Sequence, residues 1–331
     1  MKICIINNIY PPYHRGGAEQ VVVKTVEGLI ARGHTVTLIT SAPKDEVVHS
    51  SDQLTIYRLA PRNLYFYPEG HRYPAFVRLF WQLFNLNNCF VNKQVQNILK
   101  KEQPDIVHTH NLMGLSFSLP KVIRKLKLHH VHTVHDVQLV EPSGIILKSK
   151  EGSWRYNGWL TQIYTALVRR RIGSPNVVIS PSNFLLNFYR GRGFFLHSTA
   201  HVLRNPLTFS IPEISAIQKE PSESLAFVYV GQIESHKGVR FLIEAFRQLS
   251  DLSATLHIVG NGSEFSEMEK LAQADKRITL YGRVSRDKLA VLFQDMDVTV
   301  VPSLCYENSP TVIFESFSFG IPVLASDIEG V

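Results

Sequence analysis

Short apolar runs alternate with helical patterns along this chain, and this order constrains the fold more than any other feature. In the first part, six runs rich in β-branched or apolar residues are predicted to be buried strands: 2–7, 35–40, 54–59, 105–110, 130–135 and 177–181. Val21, Val22 and Val26 share one face of a predicted helix over 18–32, which Gly33 ends as a left-handed cap. Strand, helix and strand joined by right-handed crossovers predict a parallel sheet with helices on both faces.

The alternation stops and then starts again. Residues 208–224 lose periodicity and contain Pro212 and Pro221, as a connector between domains would. Further strands are predicted at 225–230, 254–259, 277–281, 297–301 and 322–325, and helices at 239–249, 263–273, 286–293 and 310–319. At 331 residues the chain is also too long for one ordinary core. We therefore predict an α/β protein of two Rossmann-like domains, 1–207 and 208–331, which face each other across a ligand-binding cleft.

Composition excludes several classes of protein. Hydrophobic residues make up 44% of the chain and charged residues 19%, which excludes global disorder. Cys4, Cys89 and Cys305 lie too far apart for a disulfide framework or a thiolate zinc site, so we expect a reducing compartment. The first apolar run ends at Asn7, too early for a signal peptide, and no run has the length of a bilayer span. We expect a cytoplasmic protein.

Positive charge is concentrated in the first part. Residues 1–210 contain 25 lysines and arginines against 11 acidic residues, whereas residues 211–331 contain 10 against 17. We do not expect a nucleic-acid partner, because no zinc finger, RNA-binding strand motif or basic recognition helix accompanies the charge. Basic and apolar residues mix at 121–127 and 154–171, and 65–90 is rich in aromatic residues, which suits peripheral attachment to the anionic inner face of the cell membrane. Core helices with surface arginines would explain these segments almost as well.

Three turns have the composition of anion or nucleotide sites. Gly16 and Gly17 follow the first strand and precede a helix whose first amides lack partners, although a flexible loop is the plain alternative. Lys237 stands where a strand gives way to a helix, at the positive end of the helix dipole, and the alternative is a surface lysine. Gly262 belongs to a glycine turn that would allow a flat base or a ribose to approach the backbone closely. Any turn between a strand and a helix could have the same sequence, so this signal alone does not identify a nucleotide site.

Histidines follow two neighbouring predicted strands. His110 ends one strand and His135 the next, so both side chains would enter the same crevice, where a histidine can donate to a sugar hydroxyl and Asp136 can orient it. A structural role is the alternative. A metal site is disfavoured because the sequence has no His-x-x-x-His helix or carboxylate cluster at ligand spacing.

The most specific segment is 302–315, in which Glu307 and Glu315 are separated by seven residues across a strand-to-helix passage. Carboxylates can grip vicinal hydroxyls of a ribose or hexose, and the amides of Ser309 and Thr311 could hold a phosphate. A pair of helix-surface glutamates is the alternative, but apolar neighbours predict that Glu315 is buried. Asp295 and Asp297 could suggest a divalent cation, yet we expect them to cap or turn the chain and predict no metal.

These motifs occur in the order seen in one family. The chain resembles the family 4 retaining glycosyltransferases of GT-B fold over nearly its whole length, most specifically at the two glutamates and at 320–323. The resemblance implies transfer of a hexosyl group from a nucleotide-diphosphate sugar to an acceptor hydroxyl, with retention and with no metal or cofactor. The expected acceptor is a lipid-linked or polysaccharide glycan. The sequence does not specify the sugar or the nucleotide of the donor, the linkage of the product or the oligomeric state.

The resemblance also implies a role for each motif. Gly16 and Gly17 would line the cleft beside the donor phosphate and acceptor, and His135 would hydrogen-bond the transferred sugar. Glu307 would contact hydroxyls of that sugar, and Glu315 would bind the ribose. The remaining residues of the expected donor site lie in the turns of the second half: Gln232, Lys237, Gly262, Ser309, Pro310 and Thr311.

Two departures from the family pattern leave a second function open. Gln232 stands where the family commonly has an arginine, and a neutral amide cannot form the charge-assisted fork with a diphosphate. Family members also continue beyond the position of Val331, so we expect an incomplete second domain. A non-catalytic sugar-nucleotide-binding protein is therefore the alternative. A nicotinamide-dependent oxidoreductase is disfavoured, because the three-glycine fingerprint is missing and Thr40 and Ser41 stand at the end of the second strand in place of an acidic residue.

Overall fold

The protein consists of two α/β units. The structure, a computed structural model, describes residues 1–13, 17–207, 224–249 and 253–331. Unit 1 comprises residues 1–144 and 152–206, and unit 2 comprises residues 145–151 and 207–331. Residues 145–151 therefore belong to unit 2 although the chain on both sides of them belongs to unit 1. The predicted connector, apart from Ser224, lies outside the described residues.

The described part of unit 1 contains one sheet of eight strands and seven helices. The strands are β1 (Lys2–Ile6), β2 (Thr35–Ser41), β3 (Glu46–Ser51), β4 (Leu54–Leu59), β5 (Ile106–Thr109), β6 (His129–Thr133), β7 (Val177–Ser180) and β8 (Thr199–Val202). The helices are α1 (Ala18–Ala31), α2 (Ala75–Leu86), α3 (Cys89–Glu102), α4 (Leu119–Lys125), α5 (Trp154–Asn157), α6 (Trp159–Ile172) and α7 (Asn183–Arg190).

The strand order of this sheet is β3-β4-β2-β1-β5-β6-β7-β8, and all neighbouring strands run parallel except β3, which is antiparallel to β4. The strands that the sequence predicted therefore all pair in parallel, and the exception is the unpredicted edge strand β3. β3 and β8 were not predicted, since each lies at an edge of the sheet and is mostly exposed, so neither has the apolar pattern of a buried strand.

A buried layer joins α1 to the sheet. Val22 and Val26 of α1 pack with Ile5 of β1 and Leu38 of β2, and all four side chains are nearly inaccessible to solvent. Such burial stabilises the unit by about 1.5–3 kcal/mol for each large aliphatic side chain. Gly33 has a φ of +78°, as its predicted role in ending this helix requires.

The described part of unit 2 contains a parallel sheet of five strands and four helices. The strands are β9 (Leu225–Val230), β10 (Ala254–Val259), β11 (Ile278–Gly282), β12 (Val298–Val301) and β13 (Val323–Ala325). The helices are α8 (Val239–Phe246), α9 (Phe265–Ala272), α10 (Arg286–Gln294) and α11 (Thr311–Ser318). The strand order is β11-β10-β9-β12-β13, with every neighbouring pair parallel.

Apolar layers cover both faces of this sheet. Ile243 of α8 and Met268 of α9 pack on one face, and Leu289 and Phe293 of α10 pack in a second buried cluster with Val228 of β9. A parallel sheet between two helical layers is the Rossmann-like arrangement, so the predicted fold class is confirmed.

The strand order reverses once in each sheet, between β1 and β5 in unit 1 and between β9 and β12 in unit 2. Loops that leave the carboxyl ends of such strands diverge to opposite sides and leave a crevice, which is where ligands bind in open α/β sheets. Ligands are therefore expected beyond the carboxyl ends of these strands. Among the described residues no helix is both long and apolar enough to cross a membrane.

Candidate functional site

The candidate donor site of unit 2 lies after β9 and β12. After β9 a 3₁₀ turn over Ser235–Lys237 leads to Gly238, which has a φ of +74° and precedes α8. A Cβ atom at Gly238 would lie 2.0 Å from the carbonyl oxygen of Pro302, which follows β12. Only glycine allows this approach of the two loops. The approach brings Lys237 beside the loop that carries Glu307.

Lys237 and Glu307 form a largely buried ion pair. Nζ of the lysine is 2.6 Å from Oε1 of the glutamate, and the side chains retain 23% and 13% exposure. The Ser303 hydroxyl donates to the same oxygen at 2.5 Å. Burial by itself would lower the pKa of Lys237, but the adjacent carboxylate raises that pKa above its usual value. The lysine is therefore cationic, and the second carboxylate oxygen remains the one that a ligand could engage.

Residues 145–151, which we call the strap, hold the loop 303–307 that carries Glu307. Leu147 pairs with Cys305 in an isolated antiparallel bridge. The amide of Lys148 donates to the carbonyl of Leu304 at 3.0 Å, and another backbone hydrogen bond of 2.9 Å flanks the bridge. A segment from the first half of the sequence thus completes the backbone pairing of a loop more than 150 residues away.

Charged side chains reinforce the strap. The ammonium group of Lys148 lies 2.5 Å from a carboxylate oxygen of Glu329 and 3.0 Å from one of Glu151. The Tyr306 hydroxyl donates to Glu151 at 2.5 Å. The carbonyl of Glu329 in turn accepts from the amide of Glu307 at 3.0 Å. The strap is therefore linked to the backbone of Glu307 through one intermediate residue.

Glu315 lies in the second turn of α11 and is 2% exposed. Its Oε1 accepts from Nη1 of Arg286 at 2.9 Å, and the arginine belongs to the first turn of α10. The alternative of a pair of helix-surface glutamates is wrong, because both Glu307 and Glu315 are largely buried and each is paired with a cation. Arg286 was not predicted as a site residue. The sequence indicates only that Arg286 follows Ser285 at the start of a helix. That position does not indicate which carboxylate the arginine pairs with.

The loop before α11 contains the other predicted donor residues. Pro310 is the residue that immediately precedes the helix, which begins at Thr311, so the first amides of α11 have no partner within the helix. Ser309 lies just before them. Oδ1 of Asn308 is buried with no hydrogen-bond partner among the described residues. This loop therefore combines helix amides with an unsatisfied acceptor close to Glu307.

Glycines after β9 and β10 serve close packing of the protein's own backbone. A Cβ at Gly262 would lie 2.2 Å from the carbonyl oxygen of Ile233, and one at Gly260 would lie 1.7 Å from that of Gly231. Gln232, between these two carbonyls, is exposed, and its carbonyl accepts from the Tyr229 hydroxyl at 2.6 Å. The requirement for glycine at position 262 thus has a structural cause, whether or not a nucleotide lies against it.

In unit 1, β5, β6 and the residues after them bring five histidines together. This histidine cluster comprises His108, His110, His130, His132 and His135. His108 Nε2 lies 2.7 Å from Oγ1 of Thr133. The hydroxyl of Thr109 lies 2.8 Å from Nε2 of His130 and 2.8 Å from Nδ1 of His132. Threonines on the two strands therefore contact one nitrogen in each of three of the five rings, while Nδ1 of His130 is buried without a partner among the described residues.

The sequence-predicted pair His110 and His135 is in direct contact. Nδ1 of His110 lies 2.8 Å from Nε2 of His135, and Nε2 of His110 is buried without a partner among the described residues. Burial, with a smaller contribution from His108, lowers the pKa of His135 to about 3. Burial likewise places the pKa of His110 well below its usual value. Both rings are therefore neutral at physiological pH.

Asp136 contacts the backbone: its Oδ1 accepts from the amide of Gln138 at 2.8 Å, and its carbonyl accepts from the Tyr189 hydroxyl. These contacts fix the chain that follows His135. Of the predicted glycine pair, Gly17 immediately precedes α1. Gly16 lies outside the described residues.

The two aspartates considered for a cation have structural contacts. Asp297 accepts from the amide of Ala226 at 2.7 Å, and Asp295 follows the last residue of α10. Within the described ranges, no three histidine, cysteine, aspartate or glutamate side chains are grouped as metal ligands.

Comparison with known proteins agrees with this architecture. A relative from Klebsiella pneumoniae, an uncharacterized 42.6 kDa protein in the cps region, is 26% identical and matches 100% of this chain and 86% of its own length. Lipopolysaccharide 1,2-N-acetylglucosaminetransferase of Salmonella typhimurium is 22% identical over 78% of this chain and 64% of its own length.

Solved structures share the fold. Sucrose-phosphate synthase from Thermosynechococcus elongatus superimposes with a TM-score of 0.72 at 23% identity, covering 99% of this chain and 82% of that one. Anabaena HepE in complex with UDP and glucose gives 0.64 at 17% identity, covering 100% and 82%.

Family matches extend over both units. Glycosyl transferases group 1 matches residues 210–331, and Glycosyltransferase Family 4 matches residues 15–207, more than half of the chain. The protein therefore belongs to Glycosyltransferase Family 4 and is a glycosyltransferase.

Proposed function

We propose that this enzyme transfers a hexosyl group from a nucleotide-diphosphate sugar to an acceptor hydroxyl, with retention and without a metal. The single observation that carries the proposal is the Lys237–Glu307 pair at the strand reversal of unit 2, which sets a cation and a carboxylate oxygen side by side. Retention and metal independence rest on family membership. HepE, which shares the fold, has been crystallised with UDP and glucose, which supports a nucleotide sugar as donor.

Lys237 suits the diphosphate. An ammonium group has three donors and Glu307 occupies one of them, so two remain for phosphate oxygens. The amides at the start of α11, beside Ser309, Pro310 and Thr311, add the positive end of a helix dipole. Negative charge develops on the phosphate as the bond from the anomeric carbon to the phosphate oxygen breaks, and these donors would stabilise it.

The two glutamates suit the hydroxyls of the donor. Glu307 uses Oε1 for Lys237 and Ser303, which leaves Oε2 for hydroxyls of the sugar. Glu315 is held by Arg286 and would accept from the ribose, as the family resemblance implies. The acceptor oxygen would form the new bond on the face that the diphosphate leaves, and the acceptor proton would pass to the departing phosphate oxygen.

His135 is suited to donate a hydrogen bond to the transferred sugar. A buried N–H group without a partner is costlier than a buried acceptor without one. Since Nε2 of His110 is buried and unpartnered, the favoured tautomer of His110 has its proton on Nδ1 and donates to His135. His135 then carries its own proton on Nδ1, where it can be donated to a hydroxyl.

We further propose a lipid-linked or polysaccharide glycan as acceptor and attachment of unit 1 to the anionic inner face of the cell membrane. The Salmonella relative is named for lipopolysaccharide, which supports a glycan acceptor. The excess of basic residues in the first 210 positions supports an anionic surface. Sedimentation of the full chain with vesicles that contain phosphatidylglycerol, but not with phosphatidylcholine vesicles alone, is the expected result.

The enzymatic test is a panel of nucleotide sugars, with sugar transfer or slow donor hydrolysis as the measurement. Glu307→Gln and His135→Ala should each lower kcat/KM by about a hundredfold or more, while Asp295→Ala, an exposed change near the same sheet, should leave it unchanged. Equal losses in all three variants would contradict the assigned roles. The anomeric configuration of the product tests retention, and activity in a chelator tests metal independence.

A further inference from the structure

Helix α2 presents an apolar stripe to solvent. Five of its side chains at spacings of three and four residues are 54–64% exposed: Phe76, Leu79, Phe80, Leu83 and Phe84. The opposite side of the helix is anchored by Trp81 and Asn85, which are almost completely buried. A surface helix normally turns such a stripe toward the core, so an outward stripe of five large residues marks a binding surface.

Helix α6 packs beside α2 and extends this surface. Four of its apolar side chains are 42–59% exposed: Trp159, Leu160, Ile163 and Leu167. Its last turn is Arg169, Arg170 and Arg171. Apolar residues followed by a basic end are typical of helices that lie in the interface of an anionic bilayer.

A basic groove of about 450 Å³ opens where α2 ends. Its cationic lining residues come from three helices: Lys93 of α3, Lys121 and Lys125 of α4, and Arg171 of α6. Asn87, which follows the last residue of α2, also lines the groove. No acidic residue is among the described residues that line it.

Hydrogen bonds fix the floor of the groove to the end of α2. The Ser118 hydroxyl donates to the carbonyl of Leu86 at 2.8 Å and accepts from Nη1 of Arg171 at 3.2 Å. Among the described residues, no carboxylate lies within ion-pair distance of the three groove lysines. Four like charges around one opening repel one another, and a bound anion would relieve that repulsion.

We propose that this groove binds the phosphate headgroup of an anionic membrane lipid while the stripe of α2 enters the bilayer interface. The proposal rests on the membrane attachment put forward for unit 1 and names its site. Phe84 lies three residues before Asn87, and exposed Phe90 follows the groove residue Cys89, so apolar side chains border the cationic opening. A soluble anion would contact only the cationic residues of the groove. A lipid would contact them with its phosphate and the bordering apolar side chains with its acyl chains.

The test is vesicle binding by the full chain with matched charge variants. Lys121→Gln/Lys125→Gln removes two groove lysines. Lys100→Gln/Lys127→Gln removes two exposed lysines that do not line the groove, one in α3 and one just after α4. The groove variant should bind phosphatidylglycerol vesicles about thirtyfold more weakly, as two lysines near a membrane surface would predict. The control should lose less than about threefold, because only diffuse attraction is changed.

The groove, the lipid ligand and the insertion of α2 are each refuted by a different result. Equal losses in the two double variants would show diffuse attraction and refute the groove. Inorganic phosphate can be compared with unlabelled phosphatidylglycerol vesicles as a competitor that displaces the protein from labelled phosphatidylglycerol vesicles. Equal displacement by the two competitors would refute a lipid ligand in favour of a free anion. Leu79→Asn/Phe80→Asn, which keeps every groove lysine, should weaken binding to phosphatidylglycerol vesicles, and unchanged binding would refute insertion of α2. Donor hydrolysis by each variant should equal that of the wild type, so a failure of the transfer proposal would be seen independently.

Discussion

Acidification should destabilise unit 1 in proportion to the number of histidines that it buries in neutral form. The five members of the histidine cluster all have a lowered pKa, with burial as the main cause: His108, His110, His130, His132 and His135. The pKa falls to about 4 for His108 and about 3 for His130 and His135. In the unfolded chain each ring has a pKa of about 6.5, so below that pH the unfolded state binds more protons than the folded one.

The sign and size of the effect follow from that difference. The contribution of these neutral histidines to the free energy of unfolding is fully present above about pH 6.5. It is lost progressively as the pH falls from there toward the pKa values of the folded state. At about pH 5.5 each histidine that remains neutral in the fold costs about 1.4 kcal/mol relative to neutral pH. The three histidines with pKa values of about 3 to 4 together lower the free energy of unfolding by about 4 kcal/mol, and the other two act in the same direction.

Tryptophan fluorescence is a suitable probe, because all three tryptophans, Trp81, Trp154 and Trp159, lie in unit 1. Urea titrations at about pH 7.5, 6.5 and 5.5 should give a falling midpoint. His130→Gln should flatten the pH dependence by about one proton, whereas His129→Gln, its exposed neighbour on the same strand, should not. A midpoint that is constant over this range, or equal behaviour of the two variants, would refute the reasoning.

Three further predictions concern unit 2. Gly262→Ala should lower its free energy of unfolding by about 2–4 kcal/mol, measured by urea titration with circular dichroism, because the new methyl group would overlap a backbone carbonyl at 2.2 Å. Arg286→Met should cost about 1–3 kcal/mol by removing the cation paired with a buried carboxylate, and adding Glu315→Gln should restore most of the loss; no recovery would contradict the pairing. Lys148→Met should raise donor KM severalfold with little change in kcat, whereas Lys150→Met, also in the strap, should change neither.

The sequence predicted the interior strands of both sheets and both edge strands of unit 2, β11 and β13, but missed the two edge strands of unit 1, β3 and β8. A strand buried on both faces is rich in apolar and β-branched residues, as β1, β2, β9 and β10 all are. Strand β3 has only one half-buried residue, and its polar sequence gives no periodic signal. An edge strand such as β3 forms because the backbone of the neighbouring strand has free hydrogen-bonding groups with which it can pair. The sequence of the edge strand itself does not predict this pairing.

Part of the candidate site was predicted for a similar physical reason. Strand ends and helix starts are local features, so Lys237, Glu307 and His135 could be placed at the carboxyl edges of sheets before the structure was considered. The strap could not be found in this way. Leu147 pairs with Cys305 over a long sequence separation, and neither residue has a type that specifies the other.

The buried carboxylates show where sequence reasoning ends and what the structure adds. Apolar neighbours required Glu315 to be buried, and a buried carboxylate requires a cation, so the existence of a partner followed from the sequence. Which cation it is depends on packing, and the structure identifies Arg286 for Glu315 and Lys237 for Glu307. The two pairs differ in a way that matters for catalysis. Arg286 is 45% exposed, whereas Lys237 is mostly enclosed and already holds Glu307, so the diphosphate proposed to bind Lys237 would share its ammonium group with Glu307. In the proposed reaction, donor binding and the orientation of Glu307 would therefore be coupled at a single ammonium group.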